Sequence, residues 1–204
     1  VDATSKLVLA AGRDLNVVST TSTQDSTQGS RTNINRIASL YVSGDNGILS
    51  ASAGRDSNLS GAQISNMGKD GQTVLAAGNN INLGTVTETE NSHIAWDGKN
   101  YRNDSSRTET GTTMQTQGDI TLQAGQDLNA RAATVNSSQG ALNVTAGHDI
   151  NLTVGENNLS LEEGHQHKSH SGMFSSKTVT THDIVSETTV QSTTLSGDKT
   201  TVIA

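Results

Sequence analysis

The sequence predicts an all-β protein, a parallel β-helix (solenoid) that carries protruding antiparallel β-hairpins. Three observations support this fold. One hexapeptide recurs along the chain, apolar and polar residues alternate on both sides of each copy, and Thr-rich segments fill the longest gaps between copies. A recurring short repeat indicates a fold in which each unit buries its apolar face only against the next unit.

The hexapeptide follows the pattern AG-x-[DN]-x-N. Its five copies are "AGRDLN" at 11–16, "AGRDSN" at 53–58, "AGNNIN" at 77–82, "AGQDLN" at 124–129 and "AGHDIN" at 146–151. Around the first copy, Leu7 and Leu9 stand before it and Val17 stands after it, and most other copies have aliphatic residues at the same positions. Because a period of two is typical of a strand with one buried face, two strands are expected to meet at the hexapeptide glycine.

The shared glycine is predicted to be a sharp corner at which the backbone adopts positive φ. These corner glycines are Gly12, Gly54, Gly78, Gly125 and Gly147. A second glycine, at positions 47, 71, 118 and 140, precedes the first strand, and a third short strand is expected around Ile64 and Val135. Two of the gaps between corner glycines, 54 to 78 and 125 to 147, are 24 and 22 residues, which fits one turn of a three-stranded β-helix.

The last residue of each hexapeptide is an asparagine. In a β-helix, equivalent residues stack ~4.8 Å apart, so these asparagines are predicted to form a hydrogen-bonded ladder. They are Asn16, Asn58, Asn82, Asn129 and Asn151. The preceding Asp or Asn (14, 56, 80, 127 and 149) is expected to bond the backbone of its own turn. A calcium-binding repeat is the alternative, but nonapeptide calcium repeats are shorter and richer in Gly and Asp.

The two remaining gaps, 12 to 54 and 78 to 125, are 42 and 47 residues and could hold either a degenerate second coil or a hairpin. Their Thr-rich composition and the Asp-Gly pair at 97–98 favour hairpins. Extruded hairpins are predicted at about 18–36, 86–110 and 159–190. A hairpin solvated on both faces is marginal unless it pairs with a neighbour, so the hairpins are expected to lie side by side as a small extra sheet.

Several residues are candidates for contacts or chemistry. Trp96 and Tyr101 flank the Asp-Gly turn, and Phe174 lies in another predicted hairpin turn. These aromatics either stabilise their own hairpins as cross-strand pairs or form exposed contacts for a partner. In "EEGHQHKSH", His165 and His167 would share a strand face with Glu163 and His170 nearby, which suggests a metal site. A solvated hairpin arm is the favoured interpretation, because nothing apolar would fix ligand geometry, and no metal or cofactor is expected.

Composition argues against other functional classes. The three remaining histidines, His93, His148 and His182, are scattered, and no motif or spacing indicates a nucleophile or paired buried carboxylates, so no catalytic residue is assigned. The net charge of −7 without a Lys/Arg cluster argues against nucleic acid. No apolar run approaches the ~18 to 20 residues of a membrane helix. The chain has neither cysteine nor proline, which suits a protein exported unfolded and then zipped into sheet ladders.

The recurring AG-x-[DN]-[LI]-N unit and the C-terminal block "HKSHSGMFSSKTVTTHDIVSETTVQSTTLSGDKTTVIA" resemble the haemagglutinin-repeat region of filamentous haemagglutinin-like exoproteins. The resemblance is closest to the second repeat block of contact-dependent growth-inhibition toxins of Gram-negative bacteria, and it runs through essentially the whole chain. It implies a right-handed β-helical filament, secreted to the cell surface through an outer-membrane two-partner secretion transporter. Residues 1–204 are therefore interpreted as one non-enzymatic β-helix segment of a larger exoprotein.

The resemblance also implies a role in virulence or competition. In the toxin subfamily, the second repeat block is implicated in passing the toxin across the target cell's outer membrane, which makes the target-cell envelope or a surface receptor the expected partner. In adhesin and haemolysin relatives, similar repeats provide a stalk and an adhesive surface, which is the competing interpretation. A polysaccharide-active β-helix enzyme is the third.

Overall fold

The structure, a computed structural model, describes residues 1–170 and 175–204, and every regular element in these residues is a β-strand. Within them the chain winds through six rungs, each rung being one turn of the coil. A rung contains up to three short strands, and each strand pairs in parallel with its equivalent in the next rung. The fold is therefore the parallel β-helix that the sequence predicts.

The first three rungs carry two hairpins. Rung 1 contains β1 (Asp2–Ala3), β2 (Lys6–Ala11) and β3 (Leu15–Val18), and β4 (Thr20–Ser26) with β5 (Gly29–Arg36) forms hairpin 1. Rung 2 contains β6 (Ser39–Val42), β7 (Ile48–Ala53) and β8 (Ser57–Ser60). Rung 3 contains β9 (Gln63–Asn66), β10 (Gln72–Ala77) and the start of β11 (Ile81–Asp97), whose remainder pairs with β12 (Asn100–Gly111) as hairpin 2.

The remaining rungs repeat this plan. Rung 4 contains β13 (Thr113–Thr116), β14 (Asp119–Ala124) and β15 (Leu128–Arg131). Rung 5 contains β16 (Thr134–Ser137), β17 (Ala141–Ala146) and β18 (Ile150–Thr153), and β19 (Gly155–His170) with β20 (Ser176–Gln191) forms hairpin 3. Rung 6 contains β21 (Thr194–Ser196) and β22 (Lys199–Ile203).

Three parallel walls enclose the core. The first runs β1-β6-β9-β13-β16-β21, the second β2-β7-β10-β14-β17-β22 and the third β3-β8-β11-β15-β18. Equivalent residues of successive rungs pair directly, so that Leu75 faces Leu122 and Leu122 faces Val144. Such aliphatic columns point inward and are almost fully buried. The core is thus a stack in which each rung is covered by its neighbours.

Hairpins 1, 2 and 3 all leave the β-helix after a strand of the third wall, on alternate rungs. They pair side by side into one antiparallel sheet, the hairpin sheet, in the order β4-β5-β11-β12-β19-β20. Alternate rungs suit this arrangement, because two rungs advance by two strand spacings and each hairpin supplies two strands. The long gaps between corner glycines therefore hold hairpins and not a second coil.

The hairpins differ slightly in extent from the predicted ranges. Their paired residues span 20–36, 85–111 and 155–191, against predicted ranges of about 18–36, 86–110 and 159–190. The first two turns lie at 27–28 and 98–99. Most of the predicted third turn, residues 171–174 of "SGMFSS", lies outside the described residues.

The corner glycines do not adopt positive φ, so that part of the sequence prediction is wrong. They are required because successive corners stack closely. A Cβ on Gly125 would lie 2.0 Å from the Gly78 carbonyl oxygen, and one on Gly78 would lie 2.2 Å from the Gly54 carbonyl oxygen. Gly12, in the first rung, has nothing within 4 Å of the same position. The corner glycine is therefore a device for close stacking between rungs.

Candidate functional site: the hairpin sheet and its junction with the β-helix

An asparagine ladder runs along the third wall. Each side-chain amide donates to the carbonyl oxygen of the asparagine one rung earlier: Asn58 to Asn16 at 2.9 Å, Asn82 to Asn58 at 2.8 Å, Asn129 to Asn82 at 3.0 Å and Asn151 to Asn129 at 2.9 Å. The ladder lies on the same wall from which the hairpins leave. It ties successive rungs together along the base of the hairpin sheet.

The Asp or Asn two residues earlier forms a second column, but not the one that the sequence predicts. Three of these side chains accept a hydrogen bond from the backbone of the next rung and not from their own turn. The backbone N–H of Asn80 donates to Asp56, that of Asp127 to Asn80 and that of Asp149 to Asp127. In the first rung, Asp14 instead forms a two-pronged ion pair with Arg55 at 2.7 and 2.8 Å. The column connects rungs because stacked corners bring that N–H within reach.

Buried hydroxyl groups fix the roots of the hairpins. The Thr112 hydroxyl, where hairpin 2 returns to the β-helix, contacts the carbonyl oxygens of Leu59 and Gly84 at 3.0 Å. Ser19, where hairpin 1 leaves, donates to the Gly61 carbonyl at 2.6 Å, and Gly61 has a φ of +54°. These bonds satisfy polar backbone groups where the chain changes from parallel to antiparallel pairing.

Glu109 is the buried charge at the junction between the hairpin sheet and the β-helix. Its carboxylate accepts from Arg107 of the same strand at 2.6 Å and from Arg131 of the third wall at 2.8 Å. The backbone N–H of Glu156, at the start of hairpin 3, also donates to it. Only 3% of Glu109 is exposed, so these partners replace the water that its charge has lost.

The same contacts set the protonation of Glu109. The hydrogen bond from Arg131 lowers its pKa most, burial opposes this shift, and Arg107 lowers the pKa further. The carboxylate therefore stays ionised at neutral pH. Hairpins 2 and 3 and rung 4 meet at one fixed negative charge.

One face of the hairpin sheet forms an open polar trough of about 560 Å³ that extends from the turn of hairpin 1 to the middle of hairpins 2 and 3. Side chains from all three hairpins line it, among them Asp25, Asn91, Asn103, Ser160 and Glu162. Within the sheet, these residues bring together carboxylate, amide and hydroxyl groups that the sequence separates widely. The side chains that line the trough are all polar, so it offers many hydrogen-bonding groups.

Glu162 is the best-connected residue at the trough. Tyr101 donates to its carboxylate at 3.1 Å, Asn103 at 3.1 Å, and the His182 ring nitrogen lies 2.8 Å away. His182 lowers the pKa of Glu162 most, followed by Asn103 and Tyr101. Burial and the bond to Glu162 raise the pKa of Tyr101. The Tyr101 ring lies directly over Gly164, where a Cβ would be 2.4 Å from a ring carbon.

Of the three aromatic residues that the sequence predicts to make contacts, two lie in the described residues. Tyr101 pairs opposite Ala95, while Trp96 occupies a β-bulge and is 64% exposed, so the expected Trp96–Tyr101 cross-strand pair does not form. The aromatic neighbour of Tyr101 is His182, with ring centroids 6.4 Å apart. Phe174 lies outside the described residues.

Glu163, His165, His167 and His170 all lie on β19. The His165 ring nitrogen is 3.6 Å from the Glu163 carboxylate. In residues 1–170 and 175–204, no three His, Asp or Glu side chains are arranged to hold a metal ion. Nor does the described chain contain a helix long and apolar enough to cross a membrane.

Glu109 and Glu162 have no sequence signal of their own. Both lie in stretches rich in Thr, Ser or Glu, whose composition predicts solvated strands. Several of their partners, Arg131 for Glu109 and Tyr101 and Asn103 for Glu162, lie on other rungs or hairpins. The signal that would have located the junction is the alternation of long and short gaps between corner glycines, which places hairpins on every second rung.

Comparison with protein families gives a match to the hemagglutinin repeat over residues 95–204, just over half of the chain. The chain belongs to the hemagglutinin-repeat family. The matched segment of this hemagglutinin-repeat protein begins near the end of β11 and covers rungs 4 to 6 and hairpin 3. No curated protein and no solved structure matches the chain.

Membership of the hemagglutinin-repeat family indicates the general kind of protein to which the chain belongs. Hemagglutinin repeats are β-helical structural segments of haemagglutinin-like proteins, and such proteins are typically secreted or displayed at the cell surface in the context of two-partner secretion. The family is not known for enzymatic activity. The rungs and hairpins of this chain are thus the repeat units of an adhesin- or haemagglutinin-type segment.

Proposed function

We propose that this segment is a structural part of a contact-dependent growth-inhibition exoprotein and supports passage of the toxin across the target cell's outer membrane. One observation carries the proposal: hairpins from alternate rungs fuse into a single projecting sheet. The strands of hairpin 3 are 16 residues long, which corresponds to about 50 Å of extended chain. A stalk alone would need only the β-helix.

The junction supports a mechanical role for the β-helix. Glu109, Thr112 and Ser19 connect the roots of the hairpins to the rungs beneath them. A polar sheet that is solvated on both faces gains little from burial, so its orientation depends on these contacts. The β-helix positions the hairpin sheet, and the hairpin sheet acts on the target-cell envelope once the exoprotein has bound the cell.

Two other functions compete with delivery. An adhesive surface is favoured by the polar trough, whose amides, hydroxyls and carboxylates suit a polyhydroxylated surface molecule. A polysaccharide-active enzyme is less well supported, because a general acid needs a raised pKa and the pKa of Glu162 is lowered. Trp96 is exposed and remains a candidate partner contact.

The test is a co-culture competition with the exoprotein lacking residues 1–204, in which target-cell binding and target-cell inhibition are scored separately. Secretion of the shortened exoprotein is the control. Retained binding with lost inhibition supports a role in delivery. Lost binding by a secreted exoprotein supports adhesion, and unchanged inhibition contradicts the proposal. Release of reducing ends from a polysaccharide by the isolated segment would favour the enzyme.

A further inference from the structure

A row of small polar side chains forms the floor of the trough. Strand pairing places Ser30, Asn91, Ser105 and Ser160 opposite one another on β5, β11, β12 and β19, and all four line the trough. Directly paired residues point to the same face of a sheet, so the row crosses the strands. Each of these four strands has a neighbouring strand on both sides, so the row does not depend on what pairs with the outer strands of the sheet.

The outer wall of the trough is held by a chain of hydrogen bonds. His93, Asn103 and Glu162 pair opposite one another two residues further from the roots of the hairpins. The His93 ring contacts the Asn103 side chain, which donates to one Glu162 oxygen at 3.1 Å. Tyr101 and His182 contact the other Glu162 oxygen. These bonds order the wall before a ligand arrives, which lowers the entropic cost of binding.

The floor side chains, in contrast, have unused hydrogen-bonding capacity. Side-chain hydrogen bonds in this part of the sheet belong to the wall residues and to the turn of hairpin 1. Within the described chain, the side chains of Ser30, Asn91, Ser105 and Ser160 take part in none. Hydroxyl and amide groups both donate and accept, so these four side chains suit the hydroxyl groups of a ligand, which would replace water there.

The charge and the direction of the trough select the class of ligand. Asp25, Asp104 and Glu162 line it, and no lysine or arginine of the described residues does, so it repels phosphate and sulfate groups. An extended peptide binds a sheet along an edge strand, through backbone groups, whereas the floor offers side chains from one face. A chain of neutral sugars carries hydroxyl groups on every unit and no charge, and it therefore matches the trough.

We propose that the trough binds a linear, neutral polysaccharide of the target-cell envelope, which lies across the strands with one sugar unit over each of β5, β11, β12 and β19. Neighbouring strands are about 4.8 Å apart, which is close to the length of one hexose unit in an extended chain. Each sugar unit therefore meets one floor side chain, and four strands accommodate four units. The inference rests on the proposed function only for the source of the ligand.

Calorimetric titration of the 204-residue chain with defined oligosaccharides tests the ligand class and the chain length. The probes are cellotetraose, chitotetraose and mannotetraose, which are linear and neutral. We expect at least one of them to bind about tenfold or more tightly than its own disaccharide, which covers only two strands. The matching hexasaccharide should gain less than about twofold over the tetrasaccharide. A heparin tetrasaccharide, of the same length but anionic, is the charge control and is expected not to bind.

Substitutions in the floor test the site. Ser105→Leu fills the middle of the floor and is expected to weaken binding of the best tetrasaccharide about tenfold or more. Ser106→Leu places the same side chain on the opposite face of β12 and is the matched control, with unchanged affinity expected. Asn91→Ala removes one floor contact and is expected to weaken binding about three- to tenfold. Circular dichroism checks that each variant is folded.

No binding of any of the three neutral tetrasaccharides at about 10 mM would overturn the proposal. So would a heparin tetrasaccharide that binds as tightly as the best neutral one, or equal affinities of Ser105→Leu and Ser106→Leu. Equal affinity for the disaccharide and the tetrasaccharide would overturn the placement of one sugar unit on each strand. These titrations use purified sugars, so their outcome is independent of toxin delivery, which the co-culture competition tests.

Discussion

The strands of the β-helix and those of the hairpin sheet differ in residue composition and in burial. In the β-helix, short parallel strands bury columns of Leu, Ile and Val that are almost fully excluded from solvent. In the hairpin sheet, long antiparallel strands carry Thr, Ser, Asn and charged side chains, and β20 is exposed along nearly its whole length. Burial stabilises the first, whereas backbone ladders and a few polar junctions hold the second. One chain thus combines a robust support with a surface that is free to make contacts.

The largest effect is expected in the buried columns. Leu122 is fully buried between Leu75 and Val144. Leu122→Ala should lower the free energy of unfolding by about 2 to 5 kcal/mol, measured by urea denaturation followed by circular dichroism. Gln123→Ala, the exposed neighbour on the same strand, should change it by less than about 0.5 kcal/mol. Similar effects at the two positions would contradict a core built from these columns.

Close stacking of the corners gives the next effect. Gly125→Ala places a Cβ against the Gly78 carbonyl, so the rungs must shift, at a cost of about 1 to 3 kcal/mol. Gly12→Ala meets open space and should be close to neutral. Denaturation of both variants under identical conditions checks the difference. Equal destabilisation of the two variants would show that glycine is required by the local turn and not by close stacking of the rungs.

The junction at Glu109 should respond to both substitution and pH. Glu109→Gln keeps the shape but removes the charge, and should cost about 1 to 2 kcal/mol. Glu90→Gln is the control, because its contact with Arg31 is 4.0 Å long and exposed, and it should cost less than about 0.5 kcal/mol. Hydrogen exchange should speed up at the bases of hairpins 2 and 3 in the Glu109 variant.

The pH dependence follows from the lowered pKa of Glu109. Its ionised form is favoured in the folded state, so its contribution is present above the ordinary glutamate pKa near 4.5 and is lost as the pH falls through the lower folded value. The stability difference between the native chain and Glu109→Gln should therefore be constant near neutrality and shrink in acid. A stability difference between the two proteins that grows on acidification would contradict a lowered pKa of Glu109.

The smallest contribution per contact is expected from the hydrogen bonds of the asparagine ladder. Asn129 joins two ladder bonds and Asn151 only one within the described chain. With each bond contributing about 0.5 to 1.5 kcal/mol, Asn129→Ala should cost roughly twice as much as Asn151→Ala in the same denaturation assay. Equal costs would mean that the amides bond to water as readily as to each other.

The two regions also differ in how far the sequence predicts them. The rungs follow from the hexapeptide and the period-two pattern, because both are local and repeat. The hairpins follow from Asp-Gly and Thr-rich composition. Glu109 and the Tyr101–Gly164 contact do not, because each depends on strands brought together from distant parts of the chain. The sequence also does not predict why the corner positions require glycine. A turn type has a sequence signature, whereas the distance between stacked corners has none.

The proposed function requires that the hairpin sheet acts on the target cell and that the β-helix supports the hairpin sheet. Excising residues 159–187 and joining Asn158 to its strand partner Thr188 through an Asn-Gly turn shortens hairpin 3 and leaves the rungs intact. In the full exoprotein, co-culture competition should then show normal secretion and target-cell binding with lost inhibition. Full inhibition by the shortened protein would contradict the claim and leave the β-helix as the active part.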